Sequence, residues 1–265
     1  AALQAQRAAL QPQLRASPFG EPLVLRSSSD GHRVEGEVFA ELAQPFAAVE
    51  SSLRHPAGLC ELLLLHLNVR GCTPSADAAA PRVQVRVGPK RAGAGGQEVD
   101  MSYAVRTEAV PGDHLRVTLT APEGPLSMRD VRLVFEAVPI DAQRSFVHLG
   151  YAYGYGTLAR LAMGAYLATA GRDKIGFTVV GRDAQGRPTY VQGERAAVER
   201  NAMRYYLALL ALKSCGQGSR EEQQQARLKT WFALTERHAP QLREYELADY
   251  LREKRLDLTR LASAR

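Results

Sequence analysis

The polar residues with the clearest chemical potential lie at the start of a long predicted helix. Arg204 follows Arg200 by four positions and Asn201 by three, so that with Glu199 they form a polar stripe on the helix. The planar guanidinium of Arg204 suits a carboxylate or phosphate and is able to orient the head group of an amphipathic ligand. The simpler interpretation is an arginine–glutamate pair that only stabilises the helix entrance.

A second group of candidate residues is aromatic. Tyr151, Tyr153 and Tyr155 alternate along a predicted strand and therefore share one face. Such a face is typical of an ordinary core. In a protein with an internal pocket, the same residues line the ligand and supply hydroxyls as its few polar contacts. Met101 and Tyr103, on another predicted strand, fit the same wall.

The acids and bases of the chain form no recognisable catalytic pattern. His66 adjoins a leucine-rich run and His148 lies on the strand face opposite the tyrosines, while Asp173, Glu194 and Glu199 are not paired by spacing. The chain contains no HExxH, GxSxG, P-loop or EF-hand motif. The sequence therefore predicts no catalytic residue, no metal site and no cofactor, and an enzyme would need groups that converge only in three dimensions.

The three cysteines, Cys60, Cys72 and Cys215, match no CxxC or metal-binding spacing. If residues 60–72 formed one straight strand, the thiols of Cys60 and Cys72 would be roughly 36 Å apart. If residues 59–67 formed a short helix followed by a reversal at Asn68–Gly71, the two sulfurs would come within bonding reach. A Cys60–Cys72 disulfide and two buried, reduced cysteines therefore remain alternatives.

The overall composition excludes several classes of protein. The chain has 265 residues, 45% of them hydrophobic and 23% charged, which excludes disordered and collagen-like chains. No run approaches the ~20 apolar residues of a membrane-spanning helix, so a soluble chain is expected. The net charge of +6 is interleaved with acids and predicts no nucleic-acid partner. The polar start without methionine favours a processed periplasmic or secreted bacterial protein over a cytoplasmic one.

Hydrophobic periodicity divides the chain into strands first and helices later. Alternation of apolar and polar residues predicts antiparallel strands, whereas a 3.6-residue period predicts helices. The predicted strands are Leu23–Arg26, Arg33–Leu42, 82–87, 99–105, 114–120, Arg129–Val138 and Ser145–Tyr155, followed by a small hairpin over 175–191. The predicted helices are Pro45–Arg54, Thr157–Ala170, Glu194–Lys213, which is apolar nearly all round at 205–212, and two more within 220–265.

This order of elements resembles that of the helix-grip fold of the START and Bet v 1-like (SRPBCC) superfamily. The resemblance is carried by the strand Val34–Glu41, the helix opening at 45–49, the paired strands 129–155 and the helix Val198–Leu212. It implies an α+β fold in which a curved antiparallel sheet wraps a long C-terminal helix. It also implies that a hydrophobic ligand, such as a lipid or sterol, occupies the space between them.

The resulting prediction has three parts along the chain. A helical lead-in spans 1–20, a START-like domain spans 21–215 with a helix and hairpin insertion at 157–193, and a helical tail spans 216–265. The predicted function is binding or transport of a hydrophobic small molecule without covalent chemistry. The expected ligand-binding residues are Met101, Tyr103, Leu119, Phe135, Tyr151, Tyr153, Arg204 and Leu209, with Val99, Val117 and Leu133 beside them.

Two alternatives belong to other functional classes. A cyclase- or hydrolase-like enzyme on the same scaffold would place His148 or His66 beside a carboxylate in the cavity. A protein-interaction module would have a solid interior and would use the tail, from Trp231 to Leu251, to bind a partner.

Overall fold

The computed structural model describes residues 2–77, 79–90, 97–156, 173–213 and 218–263. The predicted helix at 157–170 and Cys215 lie outside these residues. Contacts divide the chain into two compact units. Unit 1 comprises residues 1–54 and 106–203, and unit 2 comprises residues 55–105 and 204–265. Each unit thus combines two separate chain segments. The sequence instead predicts three consecutive parts, with boundaries after residue 20 and after residue 215.

The described residues form ten strands and seven α-helices. The helices are α1 (Ala2–Arg15), α2 (Phe46–Leu53), α3 (Pro56–Leu63), α4 (Gly193–Leu212), α5 (Arg220–Glu236), α6 (Ala239–Leu242) and α7 (Leu247–Ser263). The strands are β1 (Leu23–Ser29), β2 (Arg33–Leu42), β3 (Val69–Pro74), β4 (Arg82–Val87), β5 (Val99–Val110), β6 (His114–Gly124), β7 (Met128–Pro139), β8 (Ser145–Tyr155), β9 (Val179–Arg182) and β10 (Pro188–Tyr190). Within the described part of the chain, no helix has the length and apolar character needed to span a bilayer.

Strands β1 to β8 belong to one sheet with the order β1-β2-β8-β7-β6-β5-β4-β3, and β9 pairs with β10 as a separate hairpin. The strand pairs β1–β2, β2–β8, β7–β8, β6–β7, β4–β5 and β3–β4 are antiparallel. The long helix α4 follows these strands. The prediction of an α+β helix-grip fold, with a large antiparallel sheet and a long closing helix, is confirmed.

In unit 1, helices lie on both faces of the sheet. Helix α1 buries Leu3, Leu10 and Leu14 in a cluster with Phe39 and Phe146, which project from one face of β2 and β8. The other face meets α4 at Gly36, where a Cβ atom would lie 3.0 Å from the main-chain oxygen of Val198. Because only glycine leaves this space, β2 and α4 come into backbone contact there.

The first half of unit 2 is built around a strand that the sequence does not reveal. Strand β3 lies where the sequence pattern predicts no strand, because Gly71 and Pro74 interrupt its apolar pattern. It pairs with β4 and has a register shift between Val69 and Gly71. Helix α3 precedes it and has Pro56 at its first turn, where a missing amide hydrogen costs nothing.

The second half of unit 2 contains the end of α4 and the helical tail. Residues 205–209 are all buried, which confirms that this part of α4 is covered on more than one side. The tail forms α5, the short α6 and α7 rather than two helices, because Pro240 begins a separate helical turn. Ser219 begins α5 with a capping box, in which its hydroxyl accepts from the amide of Glu222 and the Glu222 carboxylate accepts from the amide of Ser219.

Candidate functional site

The predicted ligand-binding residues of unit 1 form one continuous side of the sheet. Leu119 lies opposite Leu133 on the neighbouring strand, and Leu133 lies opposite Tyr151. Tyr151 is also paired with Gly36, the residue in contact with α4, so this side of the sheet faces the helix. We call this surface, which is formed by Leu119, Leu133, Phe135, Tyr151 and Tyr153, the tyrosine face.

The tyrosines of β8 form a row of buried rings. The ring centroids of Tyr151 and Tyr153 are 5.5 Å apart, and those of Tyr153 and Tyr155 are 5.8 Å apart. Burial, with a smaller effect of Glu194, raises the pKa of Tyr153 to about 12. Its hydroxyl is therefore neutral at physiological pH and is able to donate a hydrogen bond.

The remaining predicted ligand-binding residues belong to unit 2. Met101 and Tyr103 are buried on β5, and the Tyr103 hydroxyl lies 3.6 Å from the Met101 sulfur. Burial raises the pKa of Tyr103 well above its usual value. Leu209 is buried on α4. Val99, which was expected beside Met101, is 36% exposed and is not part of this buried surface, because it lies at the first position of its strand.

Arg204 forms an ion pair with a residue of the tail. Its Nη2 atom lies 3.3 Å from the carboxylate of Glu244 and 3.3 Å from the main-chain oxygen of Leu242. The arginine–glutamate pair considered from the sequence thus involves a glutamate 40 positions away, and Lys90 contacts the same carboxylate. Arg204 thus binds a carboxylate, as expected of its guanidinium, and that carboxylate belongs to Glu244. Contact between Arg204 and the head group of a ligand stays a prediction.

The helix entrance itself is organised by Glu199. Its buried carboxylate accepts hydrogen bonds from the hydroxyls of Ser27 at 2.5 Å and Thr178 at 2.6 Å. It also accepts from the amides of Phe177 and Thr178. These contacts tie β1 and the 176–178 segment to α4, so Glu199 has a structural role. The sequence pattern did not indicate Ser27 or Thr178, because each lies more than 20 positions from Glu199.

His148 lies beside carboxylates, but on the face of the sheet opposite the tyrosines. Its Nε2 atom is 2.9 Å from Glu37, and its Nδ1 atom is 3.7 Å from Glu136. Glu136 also contacts His114 at 2.8 Å and Arg116 at 3.0 Å. We call these five residues the histidine–glutamate network. Among the described residues, no group of three or more histidines, cysteines or acids is arranged to hold a metal ion.

The charges of this network perturb its pKa values. Burial opposes protonation of His148, but its hydrogen bonds with Glu136 and Glu37 raise its pKa overall. Burial also disfavours the charged form of Glu136, yet its contacts with His148, His114 and Arg116 lower its pKa to about 2. The hydrogen bond from His148 lowers the pKa of Glu37. The network is therefore a set of mutually stabilised charges at mildly acidic pH.

His66, the other histidine considered, lies in unit 2. Its ring stacks on Tyr205 with centroids 4.8 Å apart, and its Nδ1 atom accepts from the amide of Asn68. Its main-chain oxygen accepts from Lys254. These contacts hold a chain reversal in place.

Cys60 and Cys72 are joined by a disulfide with Cα atoms 5.2 Å apart. Of the two arrangements left open by the sequence, the chain adopts the short helix, α3, followed by a reversal. The bond therefore links α3 to β3 within unit 2.

Comparison with known proteins gives matches among solved structures only. No protein-family model matches the chain, and no curated protein matches it. Human StAR-related lipid transfer protein 5 is similar at 10% identity and a TM-score of 0.38, over 62% of this chain and 88% of that chain. A STAR-related lipid transfer protein from Xanthomonas axonopodis is 17% identical, with a TM-score of 0.36, over 57% of this chain and 86% of that chain.

A third match comes from an enzyme. The Zhui aromatase/cyclase from a Streptomyces species is 15% identical, with a TM-score of 0.33, over 78% of this chain and 96% of that chain. The large antiparallel sheet and the long helix α4 that follows it agree with the predicted α+β fold. At these identities and TM-scores, the matches assign neither a superfamily, a ligand nor a reaction to this chain.

Proposed function

We propose that this protein binds a hydrophobic small molecule, such as a lipid or a sterol-like compound, noncovalently on the tyrosine face. The observation that carries the proposal is the composition of that face. Leu119, Leu133 and Phe135 are aliphatic or aromatic and are at most 1% exposed, and two tyrosine hydroxyls are added by Tyr151 and Tyr153. Small-molecule sites typically combine apolar walls with a few fixed polar groups.

The cyclase- or hydrolase-like alternative lacks support from the described residues. A general acid or base must lie within hydrogen-bond reach of the reacting group. His148 has two carboxylate neighbours, but it lies on the face of the sheet opposite the tyrosine face. Covalent chemistry is therefore not part of the proposal.

The aromatic residues of the tail do not support the protein-interaction alternative. Trp231 and Tyr250 of the tail are each 1% exposed, and Leu228, Leu234 and Leu242 are buried with them. The aromatic residues expected to bind a partner thus contribute to the interior of unit 2.

Native mass spectrometry of the purified protein tests the proposal. We expect a reproducible adduct of about one hydrophobic molecule per chain, and solvent extraction followed by lipid analysis identifies its class. A bare protein that also takes up no lipid from a mixed extract contradicts the proposal.

A pair of tryptophan substitutions on β6 locates the binding surface. Leu119→Trp places a large ring on the tyrosine face, so we expect the adduct to disappear while the free energy of unfolding changes little. Thr120→Trp is the matched control, because Thr120 is the next residue, is exposed and points to the other face. If the face is a packed core, Leu119→Trp instead lowers the free energy of unfolding by about 1–3 kcal/mol.

We further propose that the protein acts in the periplasm or outside the cell. The Cys60–Cys72 disulfide supports this proposal, because such bonds persist mainly in oxidising compartments. Fractionation of the producing bacterium, with immunodetection of this chain beside cytoplasmic and periplasmic markers, is the test. Detection in the cytoplasmic fraction alone contradicts the location.

A further inference from the structure

The thirteen residues from Cys60 to Cys72, which we call the disulfide loop, contain the end of α3, a reversal and the start of β3. In the reversal, residues 64–68, the amides of Leu64, Leu65 and His66 donate to the main-chain oxygens of Cys60, Leu62 and Leu63. The disulfide joins the two elements at either end of this reversal.

The main-chain oxygens of this loop receive the polar anchors of the C-terminal helix α7. The hydroxyl of Tyr250 donates to Leu65 at 2.9 Å. The ammonium of Lys254 donates to His66 at 2.7 Å and to Val69 at 2.6 Å. These three acceptors lie within five positions of one another, so a small movement of the reversal changes all three hydrogen bonds.

Two further residues of the same loop, Arg70 and Gly71, contact α7. The guanidinium of Arg70 lies 3.2 Å from Glu253 and 3.4 Å from Asp257. Gly71 leaves room for Leu261, whose Cδ2 atom would lie 3.3 Å from a Cβ atom at position 71. The disulfide loop thus contacts α7 from its first turn to its last, beside the ring contacts that Trp231 and Phe232 of α5 make with Tyr250.

The burial of these groups makes their positions critical. Lys254 and Asp257 are each 2% exposed, and burial lowers the pKa of Lys254 to about 8. A buried ammonium ion is stable only where its hydrogen-bond acceptors are held in place. The disulfide closes the loop that carries the acceptors of Lys254, so breaking it removes a covalent restraint on their positions.

We propose that the Cys60–Cys72 disulfide is a redox latch for α7, which stays docked while the bond is intact and is released when the bond is reduced. The reductant is a dithiol acting by thiol–disulfide exchange. It supplies two electrons and two protons and becomes a disulfide, while the bond between Cys60 and Cys72 breaks and leaves two thiols. This proposal does not depend on the identity or presence of a hydrophobic ligand.

The chain carries its own reporter for the state of α7. Trp231 is the single tryptophan in the sequence, is 1% exposed and packs against Tyr250 of α7 with ring centroids 5.1 Å apart. When α7 leaves, the indole becomes exposed to water and its fluorescence shifts to longer wavelength. Hydrogen exchange of the α7 amides gives an independent measurement of the same event.

The first experiment compares the oxidised protein, the protein reduced with dithiothreitol and the Cys60→Ser/Cys72→Ser variant. We expect the last two to show red-shifted emission and roughly tenfold or greater loss of amide protection in α7, with β2 and β8 unchanged. Unchanged emission and unchanged protection in α7 overturn the proposal. Loss of protection in β2 and β8 as well also overturns it, because the bond would then support the whole chain.

The second experiment uses the reciprocity of coupled equilibria, since a change that releases α7 must also make the disulfide easier to reduce. Cys60 and Cys72 are only 5% and 3% exposed, so a reductant reaches them after the loop opens. We expect Lys254→Met to speed reduction by dithiothreitol roughly tenfold, and Tyr250→Phe to have a smaller effect in the same direction. Alkylation and mass spectrometry count the thiols: one for the intact bond and three after reduction, since the sequence contains three cysteines.

The matched control is Arg255→Gln, which alters an exposed position next to Lys254 on the same helix. Its disulfide is expected to be reduced at the rate of the unaltered protein. Equal rates for Arg255→Gln, Tyr250→Phe and Lys254→Met would show that docking of α7 and the disulfide are independent, and the proposal would be wrong. This result is interpretable even if the double cysteine variant fails to fold.

Discussion

At the scale of single residues, the histidine–glutamate network shows how cross-strand neighbours form a polar cluster on a sheet. Glu136 lies directly opposite His148 on the neighbouring strand, and Arg116 lies opposite Glu136 on the next. Cross-strand neighbours of opposite charge stabilise a sheet. Phe39 covers the His148 ring with centroids 4.4 Å apart, which limits access to it.

The network predicts a pH-dependent contribution of His148 to stability. Because the pKa of His148 is higher in the folded protein than in the unfolded chain, its contribution is fully present below about pH 6.5 and is lost as the pH rises through the folded-state value. The pKa of Glu136 is lowered to about 2, so its contribution is present above about pH 4.5 and is lost towards pH 2. We expect His148→Gln to lower the free energy of unfolding by roughly 1–2 kcal/mol more at pH 5.5 than at pH 8.5.

Urea titrations of the unaltered protein and the variant at both pH values measure this difference. His55→Gln is the control, because His55 is exposed and its side chain makes no capping hydrogen bond at the start of α3. A loss for His148→Gln that is the same at both pH values would contradict the pKa direction.

At the scale of elements, the contact between α4 and β2 decides how close the helix comes to the sheet. A Cβ atom on Gly36 would lie 3.0 Å from the main-chain oxygen and 3.2 Å from the main-chain carbon of Val198. A backbone atom cannot move aside as the end of a flexible side chain does. The long helix is therefore in direct contact with the sheet at this position, which leaves no space there for the proposed ligand.

The close approach predicts a large effect of a small substitution. We expect Gly36→Ala to lower the free energy of unfolding by about 1–3 kcal/mol, because the extra methyl group forces the helix away from the strand. Gly150→Ala on β8 is the matched control, since its Cβ atom would meet His148 at an ordinary distance of 3.6 Å. Denaturant unfolding of both variants distinguishes them. Equal losses of unfolding free energy in the two variants would contradict this prediction, because α4 would then move away from β2 without a measurable loss of stability.

At the scale of the whole molecule, two elements contribute residues to both units. Helix α4 runs from Gly193 to Leu212 and strand β5 runs from Val99 to Val110, while the division between the units falls at 203/204 and 105/106. A helix or strand loses its regular hydrogen bonds when part of it unfolds. Unfolding of one unit is therefore expected to destabilise the other.

This continuity predicts a single cooperative unfolding transition. Trp231 fluorescence reports on unit 2, whereas far-ultraviolet circular dichroism reports on the secondary structure of both units. We expect the two signals to change at the same urea concentration in the oxidised protein. A fluorescence transition that precedes the circular dichroism transition would contradict this expectation. In the reduced protein, the redox-latch proposal instead predicts that Trp231 emission is already red-shifted before urea is added.

Much of the fold follows from local periodicity. Alternation along β2, β6, β7 and β8 predicts these strands, and the loss of a polar face at residues 205–212 predicts that α4 is buried on more than one side. Strand β3 is not predicted in this way because Gly71 and Pro74 interrupt its alternation of apolar and polar residues. Its place in the sheet depends on pairing with β4, which a local pattern does not report.

The two-residue period of side chains along a strand also determines which residues share a face. It therefore places the tyrosines of β8 on one face of the sheet and His148 on the other. The partners of charged residues are determined by tertiary structure instead: Arg204 meets Glu244, Lys254 meets the main-chain oxygens of His66 and Val69, and Glu199 meets Ser27. These partners are separated by 40 to 188 positions. The physical reason is that side-chain periodicity records the direction of burial, whereas an ion pair or hydrogen bond requires two distant segments to be brought within about 3 Å.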